Sequence, residues 1–304
     1  MSPLRAVLER LLRDPRHYQI AALAGLLAWG VLRLRFDLAA PQIAATLGAA
    51  LAAQWACTKA WREPRFEPRS ALISALSLCL LLRTNHLALA ALAAAMAVAS
   101  KFAIRVRGKH VFNPTNGALA VLLILHAPVW VSAGQWGNTA LFCFAIAGVG
   151  LLVVNRAARS DVTLGFLAAY ALILFARALW LGQRLAVPLH QLTSGALLLF
   201  AFFMISDPRT TPDSRAGRLV FAVLVAAGAT FVPFVLYRTN GLLWSLAVGS
   251  LLVPLIDRLL PGARYDWSAR STPLRPAKGR PHETPALAPA ALRPVPVRVA
   301  ARGA

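Results

Sequence analysis

Two polar segments between apolar stretches contain the residues best suited to bind a charged ligand. The first places Lys109, His110 and Asn113 directly before Pro114. Asparagine followed by proline is typical of a helix N-cap and first turn, and a helix N-terminus beside cations can bind an anion such as a flavin or nucleotide phosphate. A plain helix cap with cations retained on the cytoplasmic side of a membrane fits the same residues. Both interpretations stay open.

The second segment runs from Asp207 to Arg218 and combines two carboxylates with three arginines. Pro208 is expected to end one helix, and Asp213 or Ser214 to cap the next. A paired cluster of this kind could instead orient a ligand. The candidate cofactor-binding residues are Lys109, His110, Asn113, Thr115, Asn116, Asp207, Arg209, Thr210, Thr239 and Asn240.

The elements that carry these residues recur along the chain. A pattern from Ser70 to Thr115-Asn116-Gly117 returns 124 positions later, from Ser194 to Thr239-Asn240-Gly241. Each copy has a short apolar helix, a polar break, another helix and then Thr-Asn-Gly. In membrane proteins, matched short or interrupted segments in two halves indicate a binding site between them.

The composition predicts an integral membrane protein. The chain has 304 residues, is 58% hydrophobic and only 14% charged, and has a mean hydropathy of +0.62, which a soluble core cannot accommodate. The net charge of +21 lies between apolar runs and near the C-terminus, so nucleic-acid binding is not expected. Three isolated cysteines, Cys57, Cys79 and Cys143, show no metal-binding spacing, and no metal site is expected.

Apolar runs predict an all-α polytopic fold with ten transmembrane helices. The predicted spans are 18–33, 39–58, 70–82, 86–103, 114–131, 138–155, 162–181, 190–206, 217–236 and 241–260. An even count split into halves of five gives two inverted repeats, at about 15–133 and 138–260. We therefore expect a membrane domain over 1–261, followed by a disordered, basic, Pro- and Ala-rich cytoplasmic tail over 262–304.

The distribution of basic residues predicts the orientation. With the N-terminus inside, 26 of the 32 Lys and Arg residues fall on the cytoplasmic side and 6 on the other. Cytoplasmic loops retain Lys and Arg. Both termini are therefore expected in the cytoplasm.

Four motifs together resemble the RnfD/NqrB family, the large membrane subunits of redox-driven ion-translocating complexes. They are Gly108 to Pro114, Thr193 to Met204, Asp207 to Pro212, and Leu252 to Arg258. The resemblance spans roughly residues 15–265. It implies ten helices in two inverted repeats, a bacterial inner membrane, membrane or redox partner subunits, contact with lipid, and flavin cofactors.

One departure from the family bears on the cofactor. Members with covalent FMN attach it through the threonine of a Ser-Gly-Ala-Thr motif between helices 5 and 6, whereas this chain reads Ser132-Ala133-Gly134-Gln135 there. Covalent FMN is therefore not expected, and non-covalent FMN or riboflavin takes its place in the prediction. The shortened form resembles stand-alone UnbU-type relatives.

Three functions follow as hypotheses. The first is an electron-transfer membrane subunit that binds flavin non-covalently and couples redox change to ion movement, which would make the chain an oxidoreductase or translocase subunit. The second is a transporter or channel for a small solute or cation without redox chemistry. The third is a membrane scaffold for a biosynthetic or redox cluster. No phosphate-binding glycine loop, nucleophile elbow or His-Glu-x-x-His motif points to hydrolysis.

Overall fold

The computed structural model describes residues 14–132 and 140–265, and the predicted tail lies mostly outside them. It shows an all-α membrane protein. The helices are α1 (Pro15–Leu32), α2 (Ala40–Ala60), α3 (Pro68–Leu81), α4 (Leu87–Ala103), α5 (Pro114–Ile124), α6 (Ala140–Arg156), α7 (Ser160–Trp180), α8 (Ala186–Leu192), α9 (Gly195–Leu199), a π-helical turn (Phe200–Met204), α10 (Arg215–Phe234) and α11 (Gly241–Leu259).

Three of the described helices, α7, α10 and α11, are long and apolar enough to cross a membrane singly. The segments Ala186–Leu192 and Gly195–Met204 meet at 48° and together make a fourth candidate span. Four shorter apolar helical segments occupy the positions of other predicted spans: Pro68–Leu81, Leu87–Ala103, Pro114–Ile124 and Ile146–Asn155. Ten crossings therefore stay a prediction.

Two predicted spans differ from the helices that occupy them. The fifth, predicted over 114–131, ends at Ile124 because Pro128 cannot continue a helix. The chain then returns as strand β4 (Trp130–Val131), which pairs antiparallel with β1 (Leu82–Arg83) directly after α3. The eighth, predicted over 190–206, is broken at Thr193 and Ser194, where a new helical turn begins.

One end of the molecule carries most of the ion pairs, and we call it the basic side. Arg16 at the start of α1 contacts Asp14 and Glu67, and Arg69 at the start of α3 bonds both acids. After α4, strands β2 (Arg105–Val106) and β3 (Lys109–His110) form a hairpin. The basic side therefore joins the first turns of α1 and α3.

Close helix packing explains the glycine of the second Thr-Asn-Gly sequence. A Cβ added at Gly241 would lie 2.6 Å from the Ala229 carbonyl oxygen and 2.8 Å from Pro233 Cδ. Both atoms belong to the neighbouring helix α10 and cannot move independently. Gly241→Ala is therefore expected to destabilise the protein by about 1–3 kcal/mol, measured as a lower thermal midpoint in detergent.

Gly48→Ala is the matched control for this substitution. Gly48 lies within α2, and an added Cβ would meet nothing within 4 Å. Removing a helical glycine there is expected to be neutral or to stabilise by about 0.5–1 kcal/mol. Equal midpoints for the two variants would contradict the tight α10–α11 contact.

Candidate functional site

The larger of two cavities at the basic side has a volume of about 290 Å³. Its walls come from the first three helices, the end of α4, the hairpin, the start of α5 and the segment after the π-helical turn. Five of the ten candidate residues line it, namely His110, Asn113, Thr115, Asp207 and Arg209. The structure therefore brings half of the predicted site together around one space.

Lys101 is the most deeply buried cation of this cavity, with 4% of its surface exposed. Its ammonium donates to the Ser70 carbonyl oxygen at 2.7 Å and to Ser70 Oγ at 3.0 Å. Within the described residues it has no carboxylate in ion-pair contact. A buried ammonium held by neutral oxygens alone is costly, and an anionic ligand would offset that cost.

His110 lines both this cavity and the second cavity described below. Its Nδ1 atom is buried without a hydrogen-bond partner. Burial, reinforced by the charges of Arg209, Lys101 and Arg105, lowers the pKa of His110 to about 3. The imidazole is therefore neutral at physiological pH and can accept a hydrogen bond from a ligand at Nδ1 when the other nitrogen carries the proton.

The start of α5 forms one wall and is fixed by hydrogen bonds to three other elements. Asn113 caps the helix by accepting from the Asn116 backbone N–H at 3.1 Å, and its Nδ2 donates to the Met204 carbonyl at 3.3 Å. Thr115 Oγ1 donates to the Ser74 carbonyl at 3.3 Å. The predicted cap is therefore present, and it ties α5 to α3 and to the π-helical turn.

Asn116 lies behind this wall and is completely buried. Its Nδ2 donates to the Leu243 carbonyl in the first turn of α11 at 3.2 Å, while its Oδ1 has no partner. Because Leu243 follows Gly241 by two residues, the first Thr-Asn-Gly sequence contacts the helix that the second one begins. Thr239 itself is exposed, and Asn240 caps α11 with a left-handed φ of 61°. Neither of them lines the cavity.

The segment after the π-helical turn closes the opposite wall. The Asp207 carbonyl accepts from Thr210 and Thr211 hydroxyls, and its Oδ1 accepts from the Arg209 backbone N–H at 3.0 Å. Burial raises the pKa of the Asp207 carboxyl, despite opposing contributions from that hydrogen bond and from Lys101. Thr210 is buried in this turn, whereas the Arg209 side chain is exposed at the cavity mouth.

Lys109 lies outside the larger cavity. Its ammonium bonds Asp213 Oδ1 at 3.0 Å and Asp257 Oδ2 at 2.8 Å, and Asp257 also accepts from the Asp213 backbone N–H at 2.7 Å. These contacts join the β2–β3 hairpin to the start of α10 and the end of α11. In the structure Lys109 thus serves as a crosslink.

Charge favours an anionic ligand in the larger cavity. Five cationic and three acidic side chains line it, and two pairs cancel, Arg16 with Glu67 and Arg105 with Glu63. The remaining charged residues of the lining are Arg65, Lys101 and Arg209 with Asp207. Gln54 adds an unpartnered Oε1 in a side chain that is 4% exposed.

Lys101, Gln54 and Ser70 were not among the candidate residues. A lysine and a glutamine inside predicted apolar spans are unusual and often functional. That signal was available, because Gln54 falls in the span 39–58 and Lys101 in 86–103. No group of three or more metal-binding side chains occurs among the described residues.

The lowered pKa of His110 predicts how stability depends on pH. An unfolded histidine titrates near 6.5, so below that pH the unfolded chain binds a proton that the folded chain does not. The contribution of His110 is present above about pH 6.5 and is lost as pH falls toward about 3. His110→Gln is expected to flatten the fall of the thermal midpoint from pH 6.5 to about 4, with the exposed His126→Gln as control. Parallel curves for wild type and His110→Gln would contradict this.

Comparison with known proteins gives partial matches. The model of the NQR2, RnfD, RnfE family matches residues 127–266. An RnfD-type subunit of the ion-translocating oxidoreductase complex from Stutzerimonas stutzeri is 34% identical over 159 residues, which are 51% of this chain and 44% of that protein. The protein of the same name from Escherichia coli (strain K12) is 31% identical over 134 residues, 44% of this chain and 37% of that protein.

The chain therefore covers less than half of the length of these curated relatives. Three of the four motifs that carry the family resemblance fall inside residues 127–266, and the motif from Gly108 to Pro114 precedes them. Of the residues around the larger cavity, the matched part supplies Phe203, Met204, Asp207 and Arg209. The other walls come from the part of the chain before the match.

Proposed function

We propose, from the membership of residues 127–266 in the NQR2, RnfD, RnfE family, that this chain is a membrane subunit of an RNF-type redox-driven ion-translocating complex. The observation that carries the proposal is the match to proteins named as subunits of an ion-translocating oxidoreductase complex. A multi-pass membrane protein with several apolar helices suits that place. Other membrane or redox subunits are the partners it implies.

The larger cavity is the proposed site of a non-covalent flavin, FMN or riboflavin. Its volume of about 290 Å³ lies at the lower limit for ligand pockets, which suits a ligand held partly within it. The unpartnered acceptors Gln54 Oε1 and His110 Nδ1 fit donors such as ribityl hydroxyls or a ring N–H. Phe102 and Phe203 supply aromatic surface. The residues present therefore fit the group.

The charges favour FMN over riboflavin. Lys101, Arg65 and Arg209 would hold the phosphate, because cations form the strongest hydrogen bonds to phosphate oxygens. Asn113 and Thr115 fix the wall beside them. A bound flavin supplies one- and two-electron transfer, and the chain supplies binding, orientation and electrostatics.

The proposed topology has ten spans in two inverted five-helix repeats within a bacterial inner membrane, with both termini cytoplasmic. Basic residues that were assigned to the cytoplasm from separate loops converge on one cavity: Arg16, Arg65, Lys101, Arg105 and Arg209. The positive-inside rule then makes the basic side cytoplasmic. This convergence supports the orientation.

A non-redox transporter or channel is the second candidate. The 48° break between Ala186–Leu192 and Gly195–Met204 favours it, since broken helices line many transport sites. Asn116 Oδ1 and Ser250 Oγ, both in fully buried residues, have no partner and would suit a polar solute or cation. Flux through proteoliposomes without any bound flavin would favour this function.

Co-purification tests complex membership. The full chain, tagged and extracted from its native membranes in mild detergent, is expected to bring down other membrane or redox subunits identified by mass spectrometry. An unrelated tagged multi-pass protein from the same membranes is the control. Recovery of the chain alone, under conditions that preserve other membrane complexes, would contradict the proposal.

A further inference from the structure

A second cavity of about 270 Å³ lies beneath the β2–β3 hairpin. One wall is apolar and comes largely from the hairpin and the end of α11, with Val106, Val111, Val253 and Pro254. The charged residues around it are Arg107, Lys109, Asp213, Asp257 and Arg264. The cavity therefore combines an apolar surface with a charged one, as an amphiphilic ligand requires.

The cations of this cavity differ in how they are neutralised. Lys109 is bonded by both carboxylates, at 3.0 and 2.8 Å. Arg107 and Arg264 form no ion pair within the part of the chain that the structure describes. Arg264 donates from Nη2 to the Arg107 carbonyl, which places its guanidinium at the hairpin turn. Two arginines are therefore available to an anion, while the carboxylates are occupied.

The hairpin beside the cavity is amphipathic. Ile104 and Val106 are 44% and 42% exposed, and they alternate with Arg105 and Arg107 along the chain. Alternate residues of an extended chain lie on opposite faces. Exposed apolar side chains next to cations at the end of transmembrane helices suit the boundary between acyl chains and headgroups.

We propose that the second cavity binds the headgroup of an anionic phospholipid, with Arg107 and Arg264 on its phosphate and the apolar wall against the upper acyl chain. Basic pockets between transmembrane helices bind such headgroups in other membrane proteins. A soluble phosphate would use the two arginines but leave Val111, Val253 and Pro254 uncovered. The combination of surfaces selects a lipid.

This site shares a wall with the larger cavity, because His110 lines both. Arg107 and Arg264 line only the second cavity. The lipid proposal therefore does not depend on flavin binding, and the two can fail separately.

Native mass spectrometry of the full-length, delipidated protein in detergent tests the proposal. Phosphatidylglycerol is expected to bind more tightly than phosphatidylcholine. The double variant Arg107→Gln, Arg264→Gln is expected to bind phosphatidylglycerol about 30-fold more weakly, since each cation near an anionic lipid contributes about 1 kcal/mol. Arg107→Lys with Arg264→Lys retains the charge and is expected to keep most of the preference.

The control is Arg62→Gln, an exposed arginine on the same side that lines neither cavity. It is expected to bind phosphatidylglycerol as the wild type does. Equal binding of the two lipids by the wild type, or unchanged binding by the double Gln variant, would overturn the proposal. Displacement of phosphatidylglycerol by millimolar inorganic phosphate would identify a free-phosphate site and overturn the assignment to lipid.

Discussion

Replacing Lys101 with methionine is expected to weaken FMN binding about 10- to 100-fold, the range for loss of a charge-assisted hydrogen bond. Lys101 is 4% exposed, lines the larger cavity and is held by two oxygens of Ser70. Because its charge serves the phosphate, riboflavin affinity is expected to change much less. The measurement is a titration of flavin-depleted protein with each flavin, followed by fluorescence quenching.

The same substitution is expected to leave the ligand-free protein as stable as before, or more stable. Methionine has a similar length and removes a buried charge that no described carboxylate pairs. Lys59→Met is the matched control, because Lys59 is exposed near the end of α2 and lies outside the cavity. Equal losses of FMN and riboflavin binding, or a lowered thermal midpoint, would show that Lys101 serves folding instead of phosphate recognition.

Lys109→Met is expected to destabilise the protein by about 3–5 kcal/mol, the cost of removing one partner from a buried ion pair. Asp213 and Asp257 have side chains that are 14% and 15% exposed, and both depend on this ammonium. Without it, two carboxylates remain adjacent and largely desolvated. Reversible unfolding in mixed micelles, or the thermal midpoint in detergent, measures the loss.

Two further variants test whether the loss comes from unpaired charge. Adding Asp213→Asn and Asp257→Asn to Lys109→Met removes all three charges and is expected to recover most of the stability. Glu63→Gln breaks the more exposed pair with Arg105 and is expected to cost less than about 1 kcal/mol. A Lys109→Met protein as stable as the Glu63→Gln protein would contradict a buried crosslink.

The membrane class and the family could be predicted from the sequence because composition and short motifs determine them. Apolar runs gave the positions of the helices, and Asn113 before Pro114 gave the cap that the structure shows. The family resemblance is confirmed for residues 127–266. These features depend on residues close together in the chain, which a sequence displays directly.

The arrangement of the site depends on contacts that no local pattern contains. Lys109 meets Asp213 and Asp257 across 104 and 148 residues, so its role as a crosslink was invisible beside its neighbour His110. Lys101 looked like a loop cation near a span end. Its helix is rich in alanine on every face, so the sequence did not indicate that the lysine is buried.

The repeat predicted that both Thr-Asn-Gly sequences contribute to one site. In the structure the first contributes Thr115 to the cavity wall and Asn116 to a buried hydrogen bond with Leu243. The second begins α11, with Gly241 packed against α10. The same tripeptide thus occupies different surroundings, because exposure and helix contacts depend on the neighbouring elements.

The flavin content of the detergent-purified, full-length protein tests the central claim most directly. Absorbance and mass spectrometry are expected to find FMN or riboflavin that binds the native protein and is released on denaturation, which identifies a non-covalent cofactor. A colourless protein that binds neither added FMN nor added riboflavin would contradict the proposed flavin site.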